Sequence, residues 1–497
     1  MYRIREIKFS PNSVSIQVYK IENRKRKIIR HIGTAKNEIE KANLIQLARD
    51  FIKIKSKQLT LFEEKYSDSI LNLSQCEYVG VYYSFFYELF SKLLLQTGFD
   101  KLKSQFLLDL VIIRLFEPSS KLRSIELFNT YFGVKHRRQT YYEFAPKWLD
   151  LKHKAESISI NFAKKNYSFT YNLLFYDVTT LYFETFEEDE FRKNGFSKDN
   201  KSQQPQILIA LMVSKEGFPI SYEVFSGHIF EGHTIIPVIN NFINKNKVTD
   251  FTVVADAAMI SDENIKQLTK NNINYIVGAR LGNISKELFE KIDTMMDRED
   301  GKTIRIPTEK GSLVCSFSLS RYKKDKYEME KQINKAKQIV ENPSKNKRAK
   351  FIKSCGEKKY EINQSLIYKT QKLLGIKGYY TNLKEDVASN HVVIKHYHEL
   401  YRIEQAFRIA KSDLQTRPIF HFKEEPIKLH VLICFIALVI SKHIELKTEI
   451  SIKRFIYECK KITDARIINK ITNKEIRMRS KLNDKITEAL DKLFLLT

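Results

Sequence analysis

At 497 residues the chain is too long for a single compact core and has room for about two to four domains. Hydrophobic residues make up 43% and charged residues 29%, which excludes a disordered chain. Against 59 Asp and Glu stand 85 Lys and Arg, a formal net charge of +26 that points to a polyanionic partner, nucleic acid above all.

Residues 1–10 hold no apolar signal core. Residues 1–35 alternate in strand fashion, as in Ser13-Val14-Ser15-Ile16-Gln17-Val18-Tyr19, about the basic turn Asn23-Arg24-Lys25-Arg26-Lys27. They predict a β-hairpin region. Residues 36–165 have helical spacing, with Phe106, Leu107, Leu110, Val111 and Leu115 on one face, and Pro118-Ser119-Ser120 marks a break and a new helix cap. This stretch reads as a helical DNA-binding region. Its segment Arg137-Arg138-Gln139-Thr140-Tyr141-Tyr142 mixes cations with aromatics, which suits DNA and suits a solvated helix start equally well.

The pattern then changes. Within 166–284, Leu173 to Asp177, Gln206 to Val213 and Pro219 to Phe225 are strand-like runs, the last two separated by a turn at Glu216-Gly217. A helical stretch at 233–246, a fourth strand from Phe251 to Asp256, a helix capped near Ser261 and a fifth strand from Tyr275 to Gly278 follow. That order predicts an α/β core with a mixed sheet. Residues 285–385 read as an inserted, basic, strand-containing domain. Between Arg321 and Lys359 there are 14 Lys and Arg against 5 Asp and Glu; Leu313, Cys315 and Phe317 alternate as in a strand; and Glu328 to Val340 is helical. Residues 386–447 return to the core and 448–497 form a C-terminal helical tail.

The longest apolar run, Val431 to Ile440, is ten residues, too short for a bilayer, and predicts a buried helix. No membrane partner is expected, and the reading is cytoplasmic. The five cysteines, Cys76, Cys315, Cys355, Cys434 and Cys459, include no CxxC pair, so neither a zinc site nor a disulfide framework is indicated.

Two carboxylates stand out because each ends an apolar strand: Asp177 and Asp256. Strand ends at one sheet edge are where open α/β folds place their sites, and carboxylate oxygens suit hard divalent cations. Alone, an aspartate after a strand is usually a turn former or a helix cap. A third carboxylate, Glu404, lies on a helical stretch over 397–417 where Glu404, Arg408 and Lys411 share a face and Leu400, Ile403, Phe407 and Ala410 form the apolar side.

With these residues the sequence resembles the DDE transposases of bacterial insertion sequences, in the large "IS four" superfamily. That superfamily carries Tyr-x2-Arg-x3-Glu-x6-Lys around its catalytic Glu; here Tyr397, Glu404 and Lys411 match in register, and position 400 is Leu where the pattern has Arg. Phe175 to Thr180, Gly195 to Asp199, Gly217-Phe218-Pro219, Val254 to Met259, Ile276 to Arg280, Tyr380-Thr381-Asn382 and Arg417 to His421 also resemble family segments, in order, over residues 170–445. Asp177 and Asp256 are 79 positions apart and Asp256 and Glu404 148, the second gap being filled by the basic insertion.

The resemblance implies an RNase H-like catalytic core in which Asp177, Asp256 and Glu404 hold two Mg²⁺ or Mn²⁺ ions and are the catalytic residues. Water, and later a DNA 3′-hydroxyl, attacks phosphorus in line. Tyr397 and Lys411 hold DNA backbone phosphate, with Arg402 or Arg408 supplying the cation that position 400 lacks. Double-stranded DNA, as element ends and as target, is the implied partner, a homodimer forms in the synaptic complex, and the protein works on the bacterial nucleoid. The sole tryptophan, Trp148, lies outside the insertion, where some relatives use one to hold a flipped base. Two other readings stay open: an RNase H-like nuclease or resolvase that does not join strands, and a DNA-binding regulator with a decayed site.

Overall fold

The computed structural model describes residues 2–494 except 11–12, 23, 57–75, 196–202, 249, 260, 342–348, 355–359 and 471–472. Most of the segment 195–199 and Cys355 therefore lie outside the described residues. The chain forms two compact units: residues 1–90, 126–135 and 455–497, and residues 91–125 and 136–454.

The first unit holds two small sheets. Strands Tyr2–Ser10, Ser13–Glu22 and Lys25–Ala35 form an antiparallel meander, one strand more than a hairpin. Helix Glu38–Ser56 closes it, burying Ile16, Val18, Ile32 and Ala48. The second sheet departs from the expected all-helical regions. Cys76–Tyr82 pairs with Asp464–Asn469, which pairs in turn with Lys474–Arg479. The C-terminal stretch is thus helix, hairpin, helix (Ile452–Lys460 and Asp484–Phe494 flank the hairpin), with Asn473 in the left-handed region at φ 57° before the return strand. Asx side chains tolerate that conformation in tight turns.

The second unit is built on one eight-stranded mixed sheet. Its strands are β1 (Leu173–Tyr182), β2 (Gln206–Val213), β3 (Pro219–Ser226), β4 (Thr252–Ala255), β5 (Asn274–Ala279), β6 (Thr303–Thr308), β7 (Gly311–Phe317) and β8 (Ile376–Thr381). The spatial order is β6-β7-β8-β5-β4-β1-β2-β3. β1, β4 and β5 run parallel; every other neighbouring pair is antiparallel. Helices α1 (Ile235–Asn246) and α2 (Asp262–Lys270) make the crossovers into β4 and β5. The Ser261 side chain caps α2, accepting from the Asn264 amide at 3.1 Å.

The strand sequences explain the arrangement. β2 is apolar after its first residue and buried along its whole length, as a strand covered on both faces must be. Val253, Val254, Ile276 and Val277 are at most 2% exposed, each stabilising the core by about 1.5–3 kcal/mol. The basic segment 285–385 contributes strands as expected, but β6, β7 and β8 continue the core sheet through β5. Asn382 fixes that junction, its side chain accepting from the Tyr275 amide and donating to the Ile273 carbonyl. The rest of the segment includes a long helix, Leu319–Glu341.

Helices α3 (Asn390–His398), α4 (Tyr401–Arg408) and α5 (Glu424–Thr448) follow. α5 is long and apolar enough to cross a bilayer, yet 94% of its most apolar window is buried inside the protein. It packs on β3 and on helix Gln105–Phe116, itself buried from Phe106 to Phe116 on all sides rather than on one face.

Candidate active site

The expectation that each aspartate ends a strand holds for Asp256, which follows β4, but not for Asp177, which sits inside β1 because the apolar run continues past it to Tyr182; register still brings the two side by side. Tyr176 of β1 pairs with Ala255 of β4, and Ala255 pairs with Val277 of β5. One step along three parallel strands therefore aligns Asp177, Asp256 and Gly278 across the sheet, with neighbouring strands about 4.8 Å apart. Asp177 is half-buried and its Oδ1 accepts from the following amide, Val178, at 2.7 Å. Asp256 is exposed; its Oδ1 accepts from the Ala257 amide at 2.7 Å as the chain turns away from the sheet.

The third carboxylate comes from α4, which packs against β1 and β2. Ile403, Ala406 and Phe407 are its buried side, and Glu404 and Arg408 are exposed. Thr179 and Leu181 of β1 line a cavity of about 40 Å³ together with Phe407, Ala410 and Lys411. Side chains alternate along a strand, so Asp177 stands on the same face as Thr179 and Leu181, the face that α4 covers.

The predicted single helix over 397–417 is interrupted. α3 ends at His398, Glu399 and Leu400 make a tight turn, α4 follows, and Ile409–Asp413 is a π-helical turn closed by the Leu414 amide on the Ile409 carbonyl. Such turns, with their wider spacing, recur at functional sites. Lys411 lies in this π turn, half-buried.

The four residues assigned to DNA differ in exposure. Arg408 is exposed, while Arg402 is half-buried with its Nε enclosed and without a partner among the described residues. The backbone of Gly217, at φ +80°, runs so close to Arg402 that a Cβ there would sit 3.1 Å from the arginine Cβ. Tyr397, on α3, is 8% exposed and turns inward, its hydroxyl donating to Asp256 Oδ1 at 3.2 Å. Burial, then the Asp256 carboxylate, push the Tyr397 phenol above its ordinary range, so it stays a proton donor.

Two further residues complete the site and were not assigned a role from sequence. Gly278 leaves the space that Tyr397 fills: a Cβ there would overlap the phenol oxygen and lie 3.0 Å from Cζ. A glycine within an otherwise apolar strand, Asn-Tyr-Ile-Val-Gly-Ala, signals such close approach. Lys377 comes from β8; its Nζ lies 4.6 Å from the Tyr397 ring centroid and 5.6 Å from that of Tyr379. Burial lowers the Lys377 pKa, Arg321 adds to this, and the carboxylates of Asp256 and Glu404 oppose it. A single lysine in a short strand carries no signal that sequence reasoning could use.

The donor set, three carboxylates, is chemically suited to hard divalent cations. Among the described residues no three His, Cys, Asp or Glu side chains come close enough together to hold a metal ion. Asp177 and Asp256 lie on neighbouring strands and Glu404 on the helix that packs on β1, without closing into a ligand set.

No curated protein matches the chain. The cryo-EM structure of the piggyBac transposase synaptic complex with hairpin DNA is similar with a TM-score of 0.37 at 12% identity, over 90% of this chain and 75% of that one. A family model described as the transposase DDE domain matches residues 168–440, more than half of the chain, with β1, β4 and α4 all inside the match. The chain therefore belongs to the DDE-domain transposases.

Proposed function

We propose that this protein is the transposase of a bacterial insertion sequence of the "IS four" type, cutting DNA at the element ends and joining the freed 3′ ends to target DNA. One observation carries the reading furthest: the parallel register that sets Asp177 beside Asp256, under the helix that bears Glu404. The sheet order, with β2 antiparallel between β1 and β3 and two parallel strands on the other side of β1, supports an RNase H-like core.

Asp177, Asp256 and Glu404 would be the residues to hold two Mg²⁺ or Mn²⁺ ions, which when bound would neutralise charge at the attacking and leaving oxygens. The chain's own groups do the positioning. Tyr397 fixes the Asp256 carboxylate, Lys377 adds a positive charge beside it, and Arg402, Arg408 and Lys411 are the cations for backbone phosphate. Synapsis of two ends calls for a homodimer on DNA, with the protein acting at the nucleoid.

Labelled element-end oligonucleotides, a supercoiled target plasmid and Mg²⁺ or Mn²⁺ test the proposal. Joined products are expected; nicks without joining indicate a nuclease, and no metal-dependent cut indicates a DNA-binding regulator. Asp177→Ala, Asp256→Ala and Glu404→Ala should each abolish cleavage and leave DNA affinity largely intact, since affinity comes mostly from lysines and arginines elsewhere. Near-normal cleavage by any of the three removes that residue from the set.

A further inference from the structure

Between the helix that starts at Lys121 and the start of α5, the second unit holds a cavity of about 340 Å³. Lys121, Tyr141, Tyr142, Phe420, His421 and Glu425 are among its walls. Its chemistry is unusual for a protein interior. Lys121 and Arg114 are each 4% exposed, and neither has a carboxylate partner among the described residues. Lys121 Nζ lies 3.0 Å from His430 Nδ1, while His430 Nε2 lies 2.9 Å from the Thr416 carbonyl. The carbonyl can only accept, so Nε2 carries the proton and Nδ1 accepts from Lys121: the histidine is neutral and offers no negative charge. Arg114 donates to the Ser119 carbonyl at 2.8 Å, again without a counter-ion. Burial, then each other's proximity, lowers the Lys121 pKa, and burial, then Lys121 and Arg114, brings that of His421 to about 4.

Buried cations without counter-ions are costly, and folded proteins pair them. The Tyr141 side chain adds a second unmet demand: it is 4% exposed, and its hydroxyl has no hydrogen-bond partner among the described residues. Two helices start at this wall, one at Lys121 and α5 at Glu424, so two positive dipole ends reinforce the field. The outer rim is aromatic: Tyr142 is 55% and Phe420 59% exposed, and the Arg138 guanidinium lies 5.9 Å from the Tyr142 ring centroid. Glu425, exposed, is the one carboxylate in the lining.

We propose that this cavity is a nucleotide site, in which Lys121, backed by Arg114, takes a DNA phosphate, Tyr141 donates its hydroxyl, and Tyr142 and Phe420 stack the attached base. The ligand class rests on the transposase reading, since DNA is the polyanion that reading supplies. The volume lies in the range of small-ligand pockets, and base–aromatic stacking is tolerant of sequence. The same assignment gives the Arg137-to-Tyr142 segment, ambiguous in the sequence alone, a role at the rim.

The test uses the full chain with neither divalent ion nor element DNA, so its outcome is independent of cleavage. The probes are deoxyadenosine 5′-monophosphate, a 5′-phosphorylated single-stranded pentanucleotide, deoxyadenosine and inorganic phosphate. Trp148, the sole tryptophan, packs 6.0 Å from the Tyr141 ring, so its emission reports occupancy alongside Tm. The two phosphorylated nucleotides should change the emission saturably and raise Tm, with deoxyadenosine and phosphate each at least about ten-fold weaker. Lys121→Met should abolish binding and leave ligand-free Tm unchanged or higher, because it removes an unpaired buried charge. Phe420→Ala, at an exposed position, should weaken binding about ten-fold without moving Tm. The site is overturned if the nucleotide fails to bind, if Lys121→Met binds like wild type, or if Lys121→Met lowers ligand-free Tm, which makes the lysine structural. Phosphate binding as tightly as the nucleotide overturns base recognition, and a nucleotide that binds while the pentanucleotide does not overturns DNA as the source. Cleavage without nucleotide binding sinks this site alone; nucleotide binding without cleavage sinks the transposase reading alone.

Discussion

The Tyr397 hydroxyl donates to Asp256 Oδ1 at 3.2 Å from a ring that is itself 8% exposed, so one strand-end carboxylate is held by a phenol with little freedom to move. Tyr397→Phe keeps the ring and deletes the donor. A hydrogen bond to a charged group is worth about 1.5–3 kcal/mol, so about a ten-fold or larger rise is expected in the Mn²⁺ concentration for half-maximal cleavage. Tm should change little. An unchanged metal titration would show that Asp256 is oriented without Tyr397.

Gly278→Ala should be more damaging than its size suggests. The new methyl overlaps the Tyr397 phenol, and overpacking in a filled site costs about 1–3 kcal/mol. Tm should fall and cleavage should be lost. Gly278→Ala with Tyr397→Phe should recover part of the Tm, because the phenol oxygen is the closest obstacle; additive Tm losses in the double variant would place the strain elsewhere.

Lys377 acts on the same carboxylates from the opposite direction. Its charge competes with any divalent cation bound by Asp256 and Glu404, whose fields reach it. Lys377→Met should therefore lower the Mn²⁺ concentration needed for thermal stabilisation, by about three-fold or more at an effective dielectric near 20. Weaker Mn²⁺ binding in the variant would assign Lys377 to holding the site together instead.

Lys411 lines an apolar cavity beside Thr179 and Phe407, so truncation to Ala would mix lost packing with lost charge. Lys411→Met separates them. If the ammonium reaches a backbone phosphate, the log–log salt slope of DNA binding should fall by about one, and cleavage should slow. Parallel slopes and equal rates would leave Lys411 an ordinary packing residue.

The mixed core was legible because its central strands begin as short, near-continuous apolar runs, the pattern of strands covered on both faces. Asp177 and Asp256 stood out as the carboxylates that interrupt those runs, although β1 continues beyond Asp177. The register that aligns them could not be read, because pairing depends on partners 79 positions apart. The break at Glu399 and Leu400 was hidden, since both residues fit a helix and the apolar spacing of Leu400, Ile403 and Phe407 runs across it. The C-terminal hairpin was missed because Asp464 to Asn469 pairs with Cys76–Tyr82, nearly four hundred positions away. Its apolar residues are too few to announce a strand alone.

The continuation of the core sheet into β8, β7 and β6 bears on how the basic segment can be altered. β5 is flanked by β4 on one side and β8 on the other. Excising 285–385 would strip β5 of its outer neighbour and leave a row of open backbone donors and acceptors beside Tyr275, Ile276 and Val277. Such an apolar edge templates association with other chains. A shortened protein should therefore precipitate rather than simply lose activity, whereas trimming the tip of helix Leu319–Glu341 should leave a soluble product. In this fold the segment is a selvedge: it keeps the sheet from fraying into its neighbours.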